Sequence, residues 1–215
     1  MTEQIGFSSR PLHTLLAFDT STAALTVAVA FDGRIAAETT SRSERNHSMR
    51  LVPIIRDLLK SAGTSPDRLD GIAVGVGPGS YTGVRIGVTV AKTMAWALNV
   101  PVIGVSGLEA LARGGLKADG AASDGRPRWY VPMLDARRGQ AYTAAYVWED
   151  AAGWRCAAPD AIRPVDGWLA ELEQMAGAAE ASLVFVGEAG RFAEAVGALA
   201  RRRSAPVRAM ETEMR

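Results

Sequence analysis

The apolar positions along the chain change period several times, and each change marks an element. Thr14–Phe18 is a short apolar strand that ends at the polar corner Asp19-Thr-Ser-Thr22. From Ala23 to Phe31 the pattern alternates, with Leu25, Val27, Val29 and Phe31 on one face. Asp32-Gly33 is a hairpin turn, and Arg34–Thr40 returns as a third strand. A polar stretch, Ser41–Asn46, reads as a loop. From His47 to Ala62 the period becomes helical: Leu51, Ile54, Ile55, Leu58 and Leu59 follow i, i+3, i+4 spacing, Met49 and Val52 widen the stripe, and Gly63 stops it. Pro53 suits a first turn, so the regular helix is expected to begin near Leu51. Leu69–Val76 is a strand, and Thr82–Leu98 a helix whose apolar residues run nearly all the way round, which predicts burial on every side, with another chain covering one side in a domain this small.

Val100–Val105 reads as a short buried strand, with Ser106 as N-cap of a helix over Gly107–Arg113. Residues 114–128, rich in Gly, Ala and Asp, read as a mobile loop and candidate domain boundary. The period then returns to two. Trp129–Leu134, Ala141–Trp148 and Trp154–Ala157 form a second meander, with Asp135–Gly139 as the turn between its first two strands. A helix over Val165–Ala176, a strand over Leu183–Val186 and a helix over Ala189–Arg201 complete the chain. The order strands, helix, strand, helix thus occurs twice. No sequence repeat accompanies it, but it predicts a duplicated α/β unit.

The chemistry concentrates between the second strand block and the second long helix. In Gly75-Val-Gly-Pro-Gly-Ser-Tyr-Thr-Gly-Val-Arg85, four glycines (Gly75, Gly77, Gly79, Gly83) and Pro78 fall within nine residues. Strand, glycine turn and helix is a layout that can cradle phosphate, because free backbone N–H groups at a helix N-terminus attract anions. The standard signatures are missing. No lysine lies between Lys60 and Lys92, and in a G-x-G-x-x-G reading from Gly75 the sixth position is Ser80. The competing reading is steric: the glycines let the turn pack closely on the helix.

Composition narrows the alternatives. The 215 residues are 48% hydrophobic, enough for one large or two small cores. Twenty-four Lys and Arg against 23 Asp and Glu give a net charge of +1, which does not suggest binding of nucleic acid by bulk charge. One cysteine, Cys156, permits no internal disulfide and fits a reducing compartment. Met1–Pro11 is polar and carries no signal-like apolar core, and no apolar run reaches the ~18 residues of a membrane span. A cytoplasmic location without membrane contact is expected.

Four blocks then occur in order: Leu16-Ala-Phe-Asp-Thr-Ser-Thr22, Arg45-Asn-His-Ser48, Gly75–Gly87 and Asp135-Ala-Arg-Arg-Gly139. Together they closely resemble the TsaB (YeaZ) family, over Leu15–Gly139. The end, Pro206–Arg215, departs from the family's short tail with Pro, Tyr and Arg. The resemblance implies a two-lobed actin, sugar-kinase and heat-shock-chaperone (ASKHA) fold, with mixed sheets and flanking helices, divided here at 1–106 and 107–215. It implies a non-catalytic subunit of bacterial tRNA threonylcarbamoyladenosine synthesis that supports the catalytic TsaD-type subunit, with a TsaE-type ATPase joining the pair and tRNA contacted at most indirectly. It also implies dimerisation of two apolar helices with themselves or with TsaD, through Met49, Leu51, Val52, Ile55, Leu58, Leu59, Val84, Val88, Ala91 and Ala95. A four-helix bundle is the corresponding geometry.

The residues of the implied phosphate corner are Asp19, Thr20, Ser21, His47, Gly77, Pro78, Gly79, Ser80, Thr82, Gly83 and Arg85, with Asp135 and Arg137 in the second lobe. Each has a plainer reading. Asp19 can bond its own turn, His47 can make a structural hydrogen bond, and Ser80 or Thr82 can cap the helix. Arg85 can meet tRNA, a partner carboxylate or an internal one. Arg137 and Arg138 can be solvated turn residues, and Arg201–Arg203 can complement a helix dipole. The TsaD-type enzyme binds metal through His-x-x-x-His, two residues on one helix face. Here Leu51 follows His47 by four, and His13 is the only other histidine. No metal, no cofactor and no catalytic residue are therefore expected. The alternatives are a nucleotide-binding small-molecule kinase of the sugar-kinase superfamily and a metallopeptidase, for which the ligands are lacking.

Overall fold

The computed structural model describes residues 12–42, 47–120, 125–177 and 180–211. The lead-in Met1–Pro11 and residues Arg45 and Asn46 of the second family block lie outside them. The chain divides into two units, Met1–Val105 and Ser106–Arg215, each with its own sheet.

The first unit begins with the expected meander, β1 (Thr14–Asp19), β2 (Ala24–Phe31) and β3 (Arg34–Arg42). Asp32 (φ 49°) and Gly33 (φ 75°) make the turn between β2 and β3 with two left-handed residues. β3 takes in Ser41 and Arg42, which pair with Leu25 and Ala24 rather than starting a loop. Helix α1 (His47–Ser61) starts earlier than Pro53 suggested. Pro53 lies inside it, but Pro53 and Met49 are both exposed, so water can meet the Met49 carbonyl that loses its partner. A 3-10 turn (Pro66–Arg68) leads to β4 (Gly71–Gly75), then α2 (Tyr81–Leu98) and β5 (Val102–Val105).

The strand order is β3-β2-β1-β4-β5, with β4 parallel to β1 and to β5. β5 is an edge strand, not a buried one: Ile103 is 41% exposed. Leu16, Phe18, Leu25, Val27, Ile72 and Val74 from the sheet form one core with Leu51, Ile55, Leu58 and Leu59 of α1 and Ala91 and Ala95 of α2.

In the second unit α3 (Gly107–Asp119) continues well past Arg113, so 114–119 belong to a helix rather than to a boundary loop. Then come β6 (Arg128–Arg137), β7 (Gln140–Glu149), β8 (Gly153–Pro164), α4 (Val165–Gly177) and β9 (Ser182–Gly187). The expected last helix splits into a 3-10 turn (Ala189–Phe192) and α5 (Ala193–Arg202), and an unexpected strand, β10 (Val207–Glu211), follows. The strand order is β10-β9-β6-β7-β8, the first unit's order with each strand replaced by its counterpart.

Here both faces of the sheet are covered. Trp129, Val131 and Met133 of β6 and Leu183 and Phe185 of β9 pack with α4 and α5. The alternate residues Tyr130, Val184 and Val186 pack with Leu108, Leu111 and Ala112 of α3. That is why β9 reads as an unbroken apolar run. Among the described residues no helix is long and apolar enough to cross a membrane.

Candidate functional site

The corner after β1 is built by Asp19 folding onto its own turn. Its Oδ1 accepts hydrogen bonds from Ser21 N (2.6 Å) and Ser21 Oγ (2.7 Å). The glycine loop closes down on this corner. Ser80 N donates to the Ser21 carbonyl at 2.7 Å, and the wholly buried Thr20 Oγ1 donates to the Gly83 carbonyl at 2.7 Å. Ser80 caps α2, its Oγ accepting from Gly83 N at 3.3 Å. Three glycines are required by this approach. A Cβ on Gly75 would run into the Asp19 carboxylate, one on Gly79 into the Ser21 carbonyl, and one on Gly83 into the Thr20 carbonyl. Gly77 has φ 93° and precedes Pro78 through a cis peptide bond.

His47, the first residue of α1, donates from Nε2 to the Thr22 carbonyl at 3.0 Å, while its Nδ1 is buried without a partner. Asp19, Thr20, Ser21, His47, Gly77, Pro78, Gly79, Ser80 and Gly83 therefore meet at one corner. Leu51, one turn after His47, lies in the core at 0% exposure. Among the described residues no group of three or more His, Cys, Asp and Glu could hold a metal ion.

In the second unit the equivalent hairpin repeats the turn. Asp135 Oδ1 accepts from Arg137 N at 2.7 Å, as Asp19 does from Ser21. β6 runs on to Arg137, so the reversal is shorter than Asp135–Gly139. Arg137, Arg138 and Gly139 all have positive φ. Glu188 Oε2 accepts from Asp135 N at 2.8 Å, and Arg191 reaches Asp135 Oδ2 at 3.4 Å.

The helix faces differ from the sequence expectation. Within this chain α2 is not buried all round. Its inward stripe is Gly83, Gly87, Ala91 and Ala95, spaced by four, while Tyr81 (77%) and Trp96 (86%) lie in solvent. Of the expected interface residues, Leu51, Ile55, Leu58, Leu59, Ala91 and Ala95 are in the unit's own core, because the i, i+4 stripe that made them conspicuous is the stripe that faces the sheet. Val84 and Val88 are half-buried. Met49 (68%) and Val52 (54%) of α1 remain exposed. Tyr81 and Trp96 did not stand out by residue type. The run of small residues at every fourth position was the available signal, since it marks the opposite side as outward. Ser48 of α1 and Tyr81, Thr82, Arg85, Ile86 and Thr89 of α2 line an open groove of about 390 Å³. Arg85 leans on the Tyr81 ring, 5.9 Å from its centroid.

Residues 34–205 match the family described as TsaD, tRNA N6-adenosine threonylcarbamoyltransferase. The chain is 34% identical over 163 residues to the tRNA threonylcarbamoyladenosine biosynthesis protein TsaB of Escherichia coli, covering 76% of this chain and 68% of that one. The chain belongs to the TsaB (YeaZ) family. A Bacillus subtilis protein of the same name is 44% identical over 137 residues, 64% of this chain and 56% of that protein, so the matched region spans little more than half of that relative. The solved structure of YeaZ from Pseudomonas aeruginosa superimposes with a TM-score of 0.72 at 31% identity, covering 94% of this chain and 86% of that one. Two remoter structures share the fold alone: a Bacteroides thetaiotaomicron protein with an actin-like ATPase fold (TM-score 0.50, 9% identity) and a Thermus thermophilus ROK hexokinase (0.53, 12%). TsaB family membership and the duplicated actin- and sugar-kinase-like architecture are thereby established.

Proposed function

We propose that the chain takes part in tRNA threonylcarbamoyladenosine synthesis as a non-catalytic subunit. It supports a TsaD-type enzyme, pairs with itself when that partner is missing, and is joined in the assembly by a TsaE-type ATPase. The observation that carries this reading is the apolar surface that α1 and α2 leave uncovered, Met49, Val52, Tyr81 and Trp96, on two helices that share a single core. The glycine corner supports it. Ser80 N, a donor that a phosphate would need, is spent on Ser21, and the turn presses directly on the loop. A histidine at position 51 would point into the core, so the helix does not offer a second ligand beside His47.

The test is light scattering of the purified chain, alone and mixed with the TsaD-type protein. Val52→Glu and Trp96→Glu are expected to lower both self-association and partner binding by roughly tenfold or more while the chain stays folded. Leu58→Glu is not a suitable probe, because Leu58 is only 8% exposed and the variant is expected to unfold the unit. Assembly unchanged in both surface variants would overturn the proposal.

A further inference from the structure

The α1/α2 face has a charge pattern that overall composition hides. From Tyr81 to Leu98 there is no Asp or Glu, and the only charged residues are Arg85 and Lys92, both exposed. α1 exposes Arg50, Arg56 and Lys60 against a single acid, Asp57, which Arg56 already holds at 2.9 Å. In a chain of net charge +1, two neighbouring helices thus display five cations and one acid. Arg85 stands in the groove among the hydroxyls of Ser48, Tyr81, Thr82 and Thr89, above aliphatic Ile86, and no carboxylate of a described residue pairs with it.

We infer that this face is built for an acidic surface on a partner protein, with one partner carboxylate seated on Arg85 in the groove, and that a second copy of the chain is the poorer occupant. The inference rests on reading α1 and α2 as the docking face. A guanidinium with hydroxyl donors around it suits a carboxylate, and docking would exclude water and strengthen the pair. Met49, Val52 and Trp96, exposed on the same two helices, suit a protein surface rather than a free anion, because they offer contact area that a small ion cannot use. Self-pairing through this face sets cations against cations, which opposes association at low ionic strength.

Salt therefore moves the two associations in opposite directions. Raising ionic strength from ~50 mM to ~0.5 M shortens the reach of surface charges from over 10 Å to a few ångström. Binding of the full chain to the TsaD-type protein, followed by calorimetry, is expected to weaken with salt. Self-association, followed by sedimentation, is expected to tighten. Arg85→Glu is expected to weaken partner binding about tenfold or more at low salt and leave self-association equal or stronger, and Lys92→Glu to do the same to a smaller degree. Arg85 is exposed, so both variants should fold, which circular dichroism checks. If Val52→Glu abolishes partner binding while salt and both charge reversals leave it unchanged, the face docks without charge selection and the inference fails alone. If Val52→Glu is also without effect, the docking face itself is wrong and both readings fall.

Discussion

Thr20 is a polar side chain with 1% exposure, and it decides where α2 sits. Its hydroxyl bonds the Gly83 carbonyl, and the helix must bring Gly83 and Gly87 against it. A Cβ at Gly87 would lie 2.5 Å from Thr20 Oγ1, and one at Gly83 would strike the Thr20 backbone. Gly83→Ala gains up to ~1 kcal/mol of helix propensity. It also overpacks a contact between backbones that neither side can relax, at a cost of roughly 1–3 kcal/mol or more. The net expectation is destabilisation by ~1–2 kcal/mol in urea unfolding. Gly197→Ala in α5 is the control, since the nearest atom to its Cβ is the flexible Arg201 Nη1 at 3.6 Å, and it should stabilise by ~0.5–1 kcal/mol. From sequence, these glycines read equally as a phosphate cradle or as close packing. The close packing depends on the position of Ser21 and Thr20, some sixty residues away, which no local pattern contains. His13 offers a second check. Its Nδ1 sits 2.6 Å from Asp32 Oδ1, and that hydrogen bond and charge raise its pKa above the usual 6.5. The folded value lies above the unfolded one, so the contact contributes most below pH ~6.5 and is lost as pH rises through the folded value. Both groups are exposed, so the effect on stability is small. A proton NMR titration should place the His13 inflection above 6.5, and Asp32→Asn should bring it back.

Among the elements, α3 shows how a cap ties a helix to the sheet beneath it. Ser106 Oγ accepts from Glu109 N at 3.1 Å and donates to Asp160 Oδ2 at 2.5 Å, and Asp160 Oδ1 accepts from Tyr146 OH at 3.0 Å. Burial, helped by Asp160, pushes the Tyr146 phenol well above its ordinary range, so it stays a donor throughout the working pH range. Ser106→Ala removes both bonds. It should cost ~1–2 kcal/mol by thermal or urea unfolding, whereas Ser106→Asp would restore the cap but set a second carboxylate against Asp160 and recover less. The cap itself was legible, because a serine stood before a helical pattern. The end of α3 was not: Gly114, Gly115 and Gly120 resemble a loop, yet Gly115 is needed because a Cβ there would meet Val186 Cγ1 at 2.5 Å. β10 was hidden for a different reason. Val207–Glu211 is short and partly polar, and its strand character comes from pairing in parallel with β9 rather than from its own alternation. The period of α2 is legible, but which side meets its own sheet is not, because an apolar count does not distinguish a stripe of small residues facing a sheet from a tryptophan left exposed by this chain.

At the scale of the whole chain, the duplication of an α/β unit is readable from the order of elements alone, while the strand order and β10 are not, and the units repeat even the Asp19 and Asp135 turns without a shared sequence. Net charge was the less informative quantity, since +1 conceals a strongly cationic helix pair. That segregation can be measured in the free chain. Trp96 is the only tryptophan in residues 1–105, is 86% exposed, and follows Lys92 by one helical turn; Trp129 and Trp168, in the second unit, are buried. The difference in emission between the wild-type chain and Trp96→Phe isolates it. A cationic surface concentrates iodide and repels caesium, so iodide should quench the Trp96 component several-fold more than caesium at low ionic strength. The gap should close at ~0.5 M salt, where the screening length falls to a few ångström. Lys92→Glu with Arg85→Glu should reverse the order of the two quenchers. Equal quenching by both ions at low salt would mean that the five cations are balanced locally, and the charge argument for an acidic partner would lose its basis even if α1 and α2 remain the docking face.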